Sequence, residues 1–521
     1  MSNFSMFMSC FNMSFENKHI DNELIQVPID NAKFGILSLE AEPCDINKQE
    51  QDFIFTIDRS GSMSDKCTDG RTKMQHIIHT LKNMVLYFFD NPNINAYITV
   101  FAFDDTVFCF IERTKVTLIN IQEILFKIEK IYPLGSTNIE LALKHVSLYI
   151  ENIKMSNPSN NISNIFMTDG EATTGSKNLT VLKGLVYTEI DNAFIGFGIN
   201  HDYILLEHIS SSKNSSYHFV DALEKAGLVY GEILHNILYK HLIDTEITVE
   251  NGLLYDYLND QWVNKLFIGT IVGQSNKTFH IISNNPDNCK IILNCKNNDN
   301  NYLFQANKID NPLSDHTTYL FRQRTLQLLF QVKDFQQKIF TKREETIGFH
   351  IFGRENKLNY NLRESDIKTK EAKLKNQLRL FLEEIKKYMS DNNLTDDKIL
   401  KNLCDDIYIS YKTIGTKYGN MYTTARQVSQ ATQRCYTVSN TPIQDDDGFD
   451  TSFGRPSFFS NLLNKRNNFG HQPDEIKFND DPLAVRHDLS SFDDLPYLTP
   501  IATKLMRDIS SSTDEKINLE T

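Results

Sequence analysis

The chain has 521 residues, 40% of them hydrophobic, and a net charge of −13 at pH 7. So acidic a chain has no whole-molecule attraction for nucleic acid, and its hydrophobic content supports a large core within about three domains. The opening residues carry no basic stretch ahead of an apolar core, and no run approaches the ~20 apolar residues that span a bilayer, so the sequence reads as soluble, cytoplasmic and not secreted, without membrane insertion.

Residues 1–22, polar and rich in Met and Asn, read as a flexible arm. QVPI and then KFGILSLEAE read as two strands around Asp30 and Asn31, within a segment 23–48. From 49 to 241, apolar runs alternate with helical patterns. The strands are 53–58, 96–103, 106–112, 164–169, 193–199 and 217–220; the helices are 74–89, 118–130, 139–153, 179–187, 203–210 and 222–239. Such alternation predicts a doubly wound, Rossmann-like α/β unit, because parallel strands need crossovers and crossovers are usually helices. Only Asp104-Asp105 separates the second and third strands, which should pair as an antiparallel hairpin at a sheet edge. Residues 242–308 then show strands without helices and predict a β-rich domain. It is short for a sandwich of its own, so the early strands should join it, with the α/β unit inserted between. A helical region follows over 315–434, with helices at 319–340, 367–389, 396–411 and 421–433. In the second, Leu374, Leu378, Phe381, Leu382 and Ile385 recur at helical spacing. The tail, 439–521, contains Asp445-Asp446-Asp447 and reads as mostly disordered, with two apolar islands, 457–465 and 494–509, suited to act as short binding segments.

The chemistry concentrates in three loops of the α/β unit. Asp58-Arg59-Ser60-Gly61-Ser62 directly follows a strand. Gly135-Ser136-Thr137-Asn138 opens a helix, and Thr168-Asp169-Gly170 ends the next strand. In a doubly wound sheet these loops converge on the carboxyl edge, where such sheets bind ligands. Asp58, Ser60, Ser62, Thr137 and Asp169 present only oxygen, the donor set of a small hard cation; zinc or copper would ask for His or Cys. Magnesium is the expected occupant, with manganese as a substitute. Two carboxylates ~5 Å apart repel by roughly 3 kcal/mol at an effective dielectric near 20, a penalty that a divalent cation reverses.

At these five positions the chain resembles the von Willebrand factor A domain, whose metal-ion-dependent adhesion site has the pattern D-x-S-x-S, then a Thr, then an Asp in a T/S-D-G turn. The resemblance covers about 50–240. It implies a non-enzymatic, doubly wound module that binds a protein ligand through a bridged cation, the ligand offering an Asp or Glu carboxylate. A further likeness, in TYLFRQRTLQLLFQVKDF and YGNMYTTARQVSQATQRC, is to the region after the A domain in cytoplasmic proteins of this kind, some of them plant ubiquitin ligases with a RING. Cys10 and Cys44 cannot supply the ligands of a RING here.

The expected function is that of an intracellular adaptor; the alternative is a substrate-selecting subunit of a ubiquitin-ligase-like or ATPase-linked complex. A metal-assisted hydrolase would need a general base that the sequence does not offer. Gly170 to Lys177 nearly spells a phosphate-binding loop, but its Ser and Lys stand in the wrong order. His76 and His79 have no evident third ligand and read as packing residues. The eight cysteines lack any CxxC and read as thiols, Cys289 and Cys295 as buried ones. The Lys-rich helix near 368–388 balances Lys with Glu and reads as a solvated face.

Overall fold

The computed structural model describes residues 4–14, 28–29, 32–46, 49–67, 70–158, 160–198, 201–220, 226–297, 300–308, 317–352, 364–416, 419–434 and 496–510. Before the α/β unit lie β1 (Phe4–Ser14) and β2 (Lys33–Ala41). The unit itself runs β3 (Gln51–Asp58), α1 (Lys73–Asp90), β4 (Ala96–Phe103), β5 (Val107–Lys115), α2 (Ile121–Glu129), α3 (Ile139–Ser156), β6 (Asn161–Thr168), α4 (Leu179–Gly184), β7 (Asp191–Phe197), α5 (Tyr203–Ser210), β8 (Ser215–Val220) and α6 (Ala226–Leu238). Its sheet has the order β5-β4-β3-β6-β7-β8, all parallel except β5, which turns back along β4 as the two-residue connection requires.

Every residue of β3 is buried, as expected of a central strand covered on both faces. Phe53, Phe55 and Ile57 pack with α1, α2 and α6, whereas Ile54 packs on the other face with Val146 and Ile150 of α3. Each such side chain contributes about 2 kcal/mol of burial. The chain leaves β3 toward β4 on one side and later crosses to β6 on the other. The loops after β3 and β6 therefore flank the point where strand order reverses.

After α6 come β9 (Lys240–Glu250), β10 (Leu253–Asp256), β11 (Gln261–Val263), β12 (Lys265–Val272), β13 (Asn276–Ser283), β14 (Lys290–Asn297), β15 (Asn300–Gln305) and β16 (Asn307–Lys308). They form two sheets, β11-β10-β13-β2-β1-β16 and β12-β9-β14-β15. Leu37 and Leu39 of β2 share one core with Ile247 of β9, Ile281 of β13 and Leu293 of β14, so the sheets close on each other as a sandwich. β2 pairs antiparallel with β13 from Lys33↔Ser283 to Glu40↔Asn276, and the α/β unit lies between these strands in sequence.

Helices α7 (Thr317–Phe352), α8 (Glu364–Asp391), α9 (Lys398–Thr413) and α10 (Gly419–Thr432) follow. Their apolar faces merge with the core beneath α4, α5 and β8. Arg426 of α10 is wholly buried and ion-paired to Asp405 (2.6 Å) and Asp406 (2.7 Å) of α9.

One expectation needs correction. Residues 4–14 are a strand, not part of a loose arm: β1 pairs with β2 from Phe4↔Ala41 to Cys10↔Gly35, and main-chain pairing of this kind does not require a clean side-chain alternation. The strand expected at QVPI lies largely outside the described residues; Pro28 and Ile29 form a bend, and β2 is flanked by β1 and β13. In the tail, Pro500–Ser510, largely within the second apolar island, is an α-helix, α11. Its Ala502, Leu505, Met506 and Ile509 are buried against α6 and α1, the Asn83 amide donates to the Ile509 carbonyl (2.8 Å), and Gln274 accepts from the Ile501 amide (3.2 Å). The second apolar island thus binds within its own chain. The first island, 457–465, the acidic run 445–447 and the remainder of the tail lie outside the described residues.

Candidate metal centre

Backbone hydrogen bonds tie the three loops together. The Arg59 amide donates to the Phe103 carbonyl (2.8 Å), the Leu134 amide to the Arg59 carbonyl (2.6 Å) and the Gly61 amide to the Gly135 carbonyl (3.1 Å). Gly135 has φ +75°, and a Cβ there would lie 3.1 Å from the Asp104 Cβ, so both conformation and space favour glycine. The Thr137 carbonyl accepts from the amides of Thr173 (3.0 Å) and Thr174 (3.2 Å), and its own amide donates to the Thr173 hydroxyl (2.8 Å).

On this frame the five expected residues come together. The Asp58 carboxylate is fully buried; one oxygen accepts from the Ser60 amide (2.8 Å), the other from the Thr168 hydroxyl (2.5 Å). The Ser60 and Ser62 hydroxyls are 3.1 Å apart, and Ser62 donates to Asp169 Oδ1 (2.7 Å). A Cβ on Gly170 would lie 3.5 Å from Thr137 Oγ1 and 3.7 Å from Ser62 Oγ, which puts those two hydroxyls around one point. Burial pushes the Asp58 carboxyl up to about 6; the Asp169 charge adds to that, while the Thr168 and Ser60 bonds oppose it. The donors are carboxylate and hydroxyl oxygen throughout, which fits a hard divalent cation. No group of three or more His, Cys, Asp or Glu able to hold a metal occurs among the described residues.

Sequence reasoning did not find two cationic neighbours. Arg59, inside the D-x-S-x-S loop, is buried and spent on Asp104 (2.6 Å), with its guanidinium over the Phe108 ring. Lys73, the first residue of α1, places its ammonium 2.6 Å from Asp169 Oδ2 and 3.3 Å from Asp65 Oδ2. Burial works to lower the Lys73 ammonium, yet the Asp169 and Asp65 carboxylates outweigh it and hold it above the ordinary lysine range. No sequence signal marks Lys73, because its contact spans 96 positions and depends on how α1 leaves the loop. The near-match to a phosphate loop is otherwise engaged: the Ser176 amide donates to the Glu140 carboxylate (2.7 Å), where a phosphate loop would present its amides to an anion. Cys289 and Cys295 are buried, and His76 is buried in α1.

Residues 52–230 match the family model of the von Willebrand factor type A domain. Among solved structures the chain is similar to a von Willebrand factor type A protein from Catenulispora acidiphila, with 13% identity and a TM-score of 0.45 over 64% of this chain and 82% of that one. It is also similar to the ArnB paralog VWA2 from Sulfolobus acidocaldarius, with 10% identity and a TM-score of 0.42 over 83% of this chain and 98% of that one. A third likeness is to proximal thread matrix protein 1 from the mussel byssus, solved with a zinc-occupied MIDAS motif: 24% identity and a TM-score of 0.28 over 36% of this chain and 46% of that one. No protein with a curated description matches the sequence. Among the described residues, no helix is long and apolar enough to cross a membrane.

Proposed function

We propose that the von Willebrand factor type A domain of residues 52–230, a kind of module that commonly mediates protein–protein interaction, binds an acidic side chain of a partner protein through a divalent cation held by Asp58, Ser60, Ser62, Thr137 and Asp169. The observation that carries this reading is the convergence of five oxygen-bearing side chains from three loops at the carboxyl edge of the sheet, linked through Ser60, Ser62 and Asp169. When bound, the cation supplies a positive centre with a coordination position open to a partner's carboxylate. Magnesium is the expected ion and manganese a substitute. Asp58 and Asp169 balance its charge, and the hydroxyls of Ser60, Ser62 and Thr137 add neutral donors that leave the ion electrophilic. The Ser60 amide and the Thr168 hydroxyl fix the Asp58 carboxylate so that little is reorganised on binding.

This is a binding function without chemistry of its own. The same reading places the protein inside the cell, where the Cys44, Cys109, Cys295 and Cys404 thiols stay reduced. Affinity capture from lysate with the full chain tests it, comparing Mg²⁺, EDTA and Asp169→Ala by mass spectrometry. Partners should be retained with Mg²⁺ and lost in the other two conditions. An identical set of partners in all three would move binding away from the cation.

A further inference from the structure

Asp169 is the carboxylate of the site that is ion-paired to a lysine. Its Oδ1 accepts from Ser62 (2.7 Å) and its Oδ2 from the Lys73 ammonium (2.6 Å), and neither side chain of the ion pair is widely open to water, at 14% exposure for Lys73 and 0% for Asp169. The other carboxylate within reach of Lys73, that of Asp65, is 61% exposed and 3.3 Å away, so solvent screens it far more. The other buried cation nearby, Arg59, is already balanced by Asp104. Among the described residues, Lys73 is therefore the buried positive charge in direct contact with a metal carboxylate, and it belongs to none of the three loops that bear the five donors.

The consequence follows from charge counting. Asp58 and Asp169 together offer two negative charges to a divalent cation, and a lysine bound to Asp169 cancels one of them. That weakens attraction for the cation but leaves the loaded site with a net charge of about +1 where it would otherwise be neutral, and so favours an anionic partner group. We propose that Lys73 divides affinity between the two ligands: it loosens the hold of the site on its divalent cation and strengthens the hold of the loaded site on a carboxylate. The inference rests on the cation-dependent reading above and deepens it, because it makes the partner's charge, and not only its oxygen donor, part of recognition.

The test uses full-length protein and two defined probes. Mn²⁺ binding is measured by calorimetry, and acetate binding by the broadening of its methyl proton resonance by site-bound Mn²⁺, in wild type, Lys73→Met and Lys73→Arg. Lys73→Met should tighten Mn²⁺ about tenfold and weaken acetate by a similar factor, while Lys73→Arg, keeping the charge, stays near wild type on both axes. Opposite shifts in the two affinities are not what a merely structural defect produces, since loosened loops weaken both. Unchanged or weaker Mn²⁺ binding in Lys73→Met, or undiminished acetate binding, overturns the inference while leaving the cation site standing. If wild type and Lys73→Met are both folded by circular dichroism and neither binds Mn²⁺, the cation site itself is refuted, and the role of Lys73 with it.

Discussion

Replacing Gly231 of α6 by Ala should release the tail helix without unfolding the domain beneath it. A Cβ at 231 would stand 2.6 Å from the Met506 Cα and 2.8 Å from its amide nitrogen, atoms of the α11 backbone that cannot rotate aside. Restoring ordinary contact requires α11 to lift by about 1 Å, and a gap of that size forfeits a quarter to a half of the dispersion well at each contact. The buried side chains Leu505, Met506 and Ile509 contribute roughly 6 kcal/mol on docking at about 2 kcal/mol each, so the lift costs roughly 1.5–3 kcal/mol. That corresponds to a loss of about 10- to 150-fold in the docking equilibrium. The same substitution favours α6 itself by about 1 kcal/mol through helix propensity, whether or not α11 is docked. Release of the tail and stability of the domain should therefore separate. Limited trypsinolysis reads the first, since Lys504 and Arg507 are exposed on α11 but resist cleavage while the backbone is held helical. Gly231→Ala should be cut there at least tenfold faster than wild type, with urea unfolding of the remainder unchanged or slightly later. Equal cleavage rates would refute the account of α6 and α11 as helices in backbone contact.

Two further outcomes follow from buried charge. Burial pushes the imidazoles of His201 and His235 down to about 4 and that of His280 down to about 3, the last with help from Arg322. Because these folded-state values lie below the unfolded value near 6.5, the stability they represent is complete above pH 6.5 and is lost as pH falls toward 4. By pH 5 the loss is about 2 kcal/mol for each histidine. The raised carboxyls of Asp58 and Asp406 act in the opposite sense over the same interval, so denaturant unfolding should show a net fall of a few kcal/mol between pH 7 and pH 5. A flat or rising profile would contradict it. Arg426→Ala would strand Asp405 and Asp406 without their cation and should cost about 3–5 kcal/mol by urea denaturation; a cost under about 1 kcal/mol would mean the pair is not closed to solvent.

The parts of the fold that were legible were those where local pattern and tertiary environment demand the same residues. β4 matches its expected bounds because a strand covered on both faces must be largely apolar, and α5 matches because its apolar spacing and its Asp202 cap agree. The oxygen-bearing loops were legible because each residue sits at a strand end or helix start that the pattern already fixed. β1 was hidden because its pairing is a main-chain property. α11 was visible as an apolar island, but the groove that receives it, opened by a glycine on α6, is a feature of two distant segments together. Lys73 was missed for the same reason: an ordinary helix-starting lysine becomes part of the site only through the path of the chain between Ser62 and α1.

The pairing of β2 with β13 also sets an order of events on the ribosome. β2 emerges with Phe34, Ile36, Leu37 and Leu39 ready for burial and β1 already made on one side, but β13, its partner on the other side, is synthesised about 235 residues later, some 10–50 s at ordinary elongation rates. During that interval the intervening α/β domain can complete its sheet, since all six of its strands lie between. A nascent chain of this protein therefore carries a folded domain alongside an apolar strand with one edge still open, the state in which chaperone capture or strand-to-strand aggregation between neighbouring ribosomes competes with folding. Slowing translation within 240–290 should lengthen that exposure, whereas slowing it within 60–220 gives the domain more time to form first.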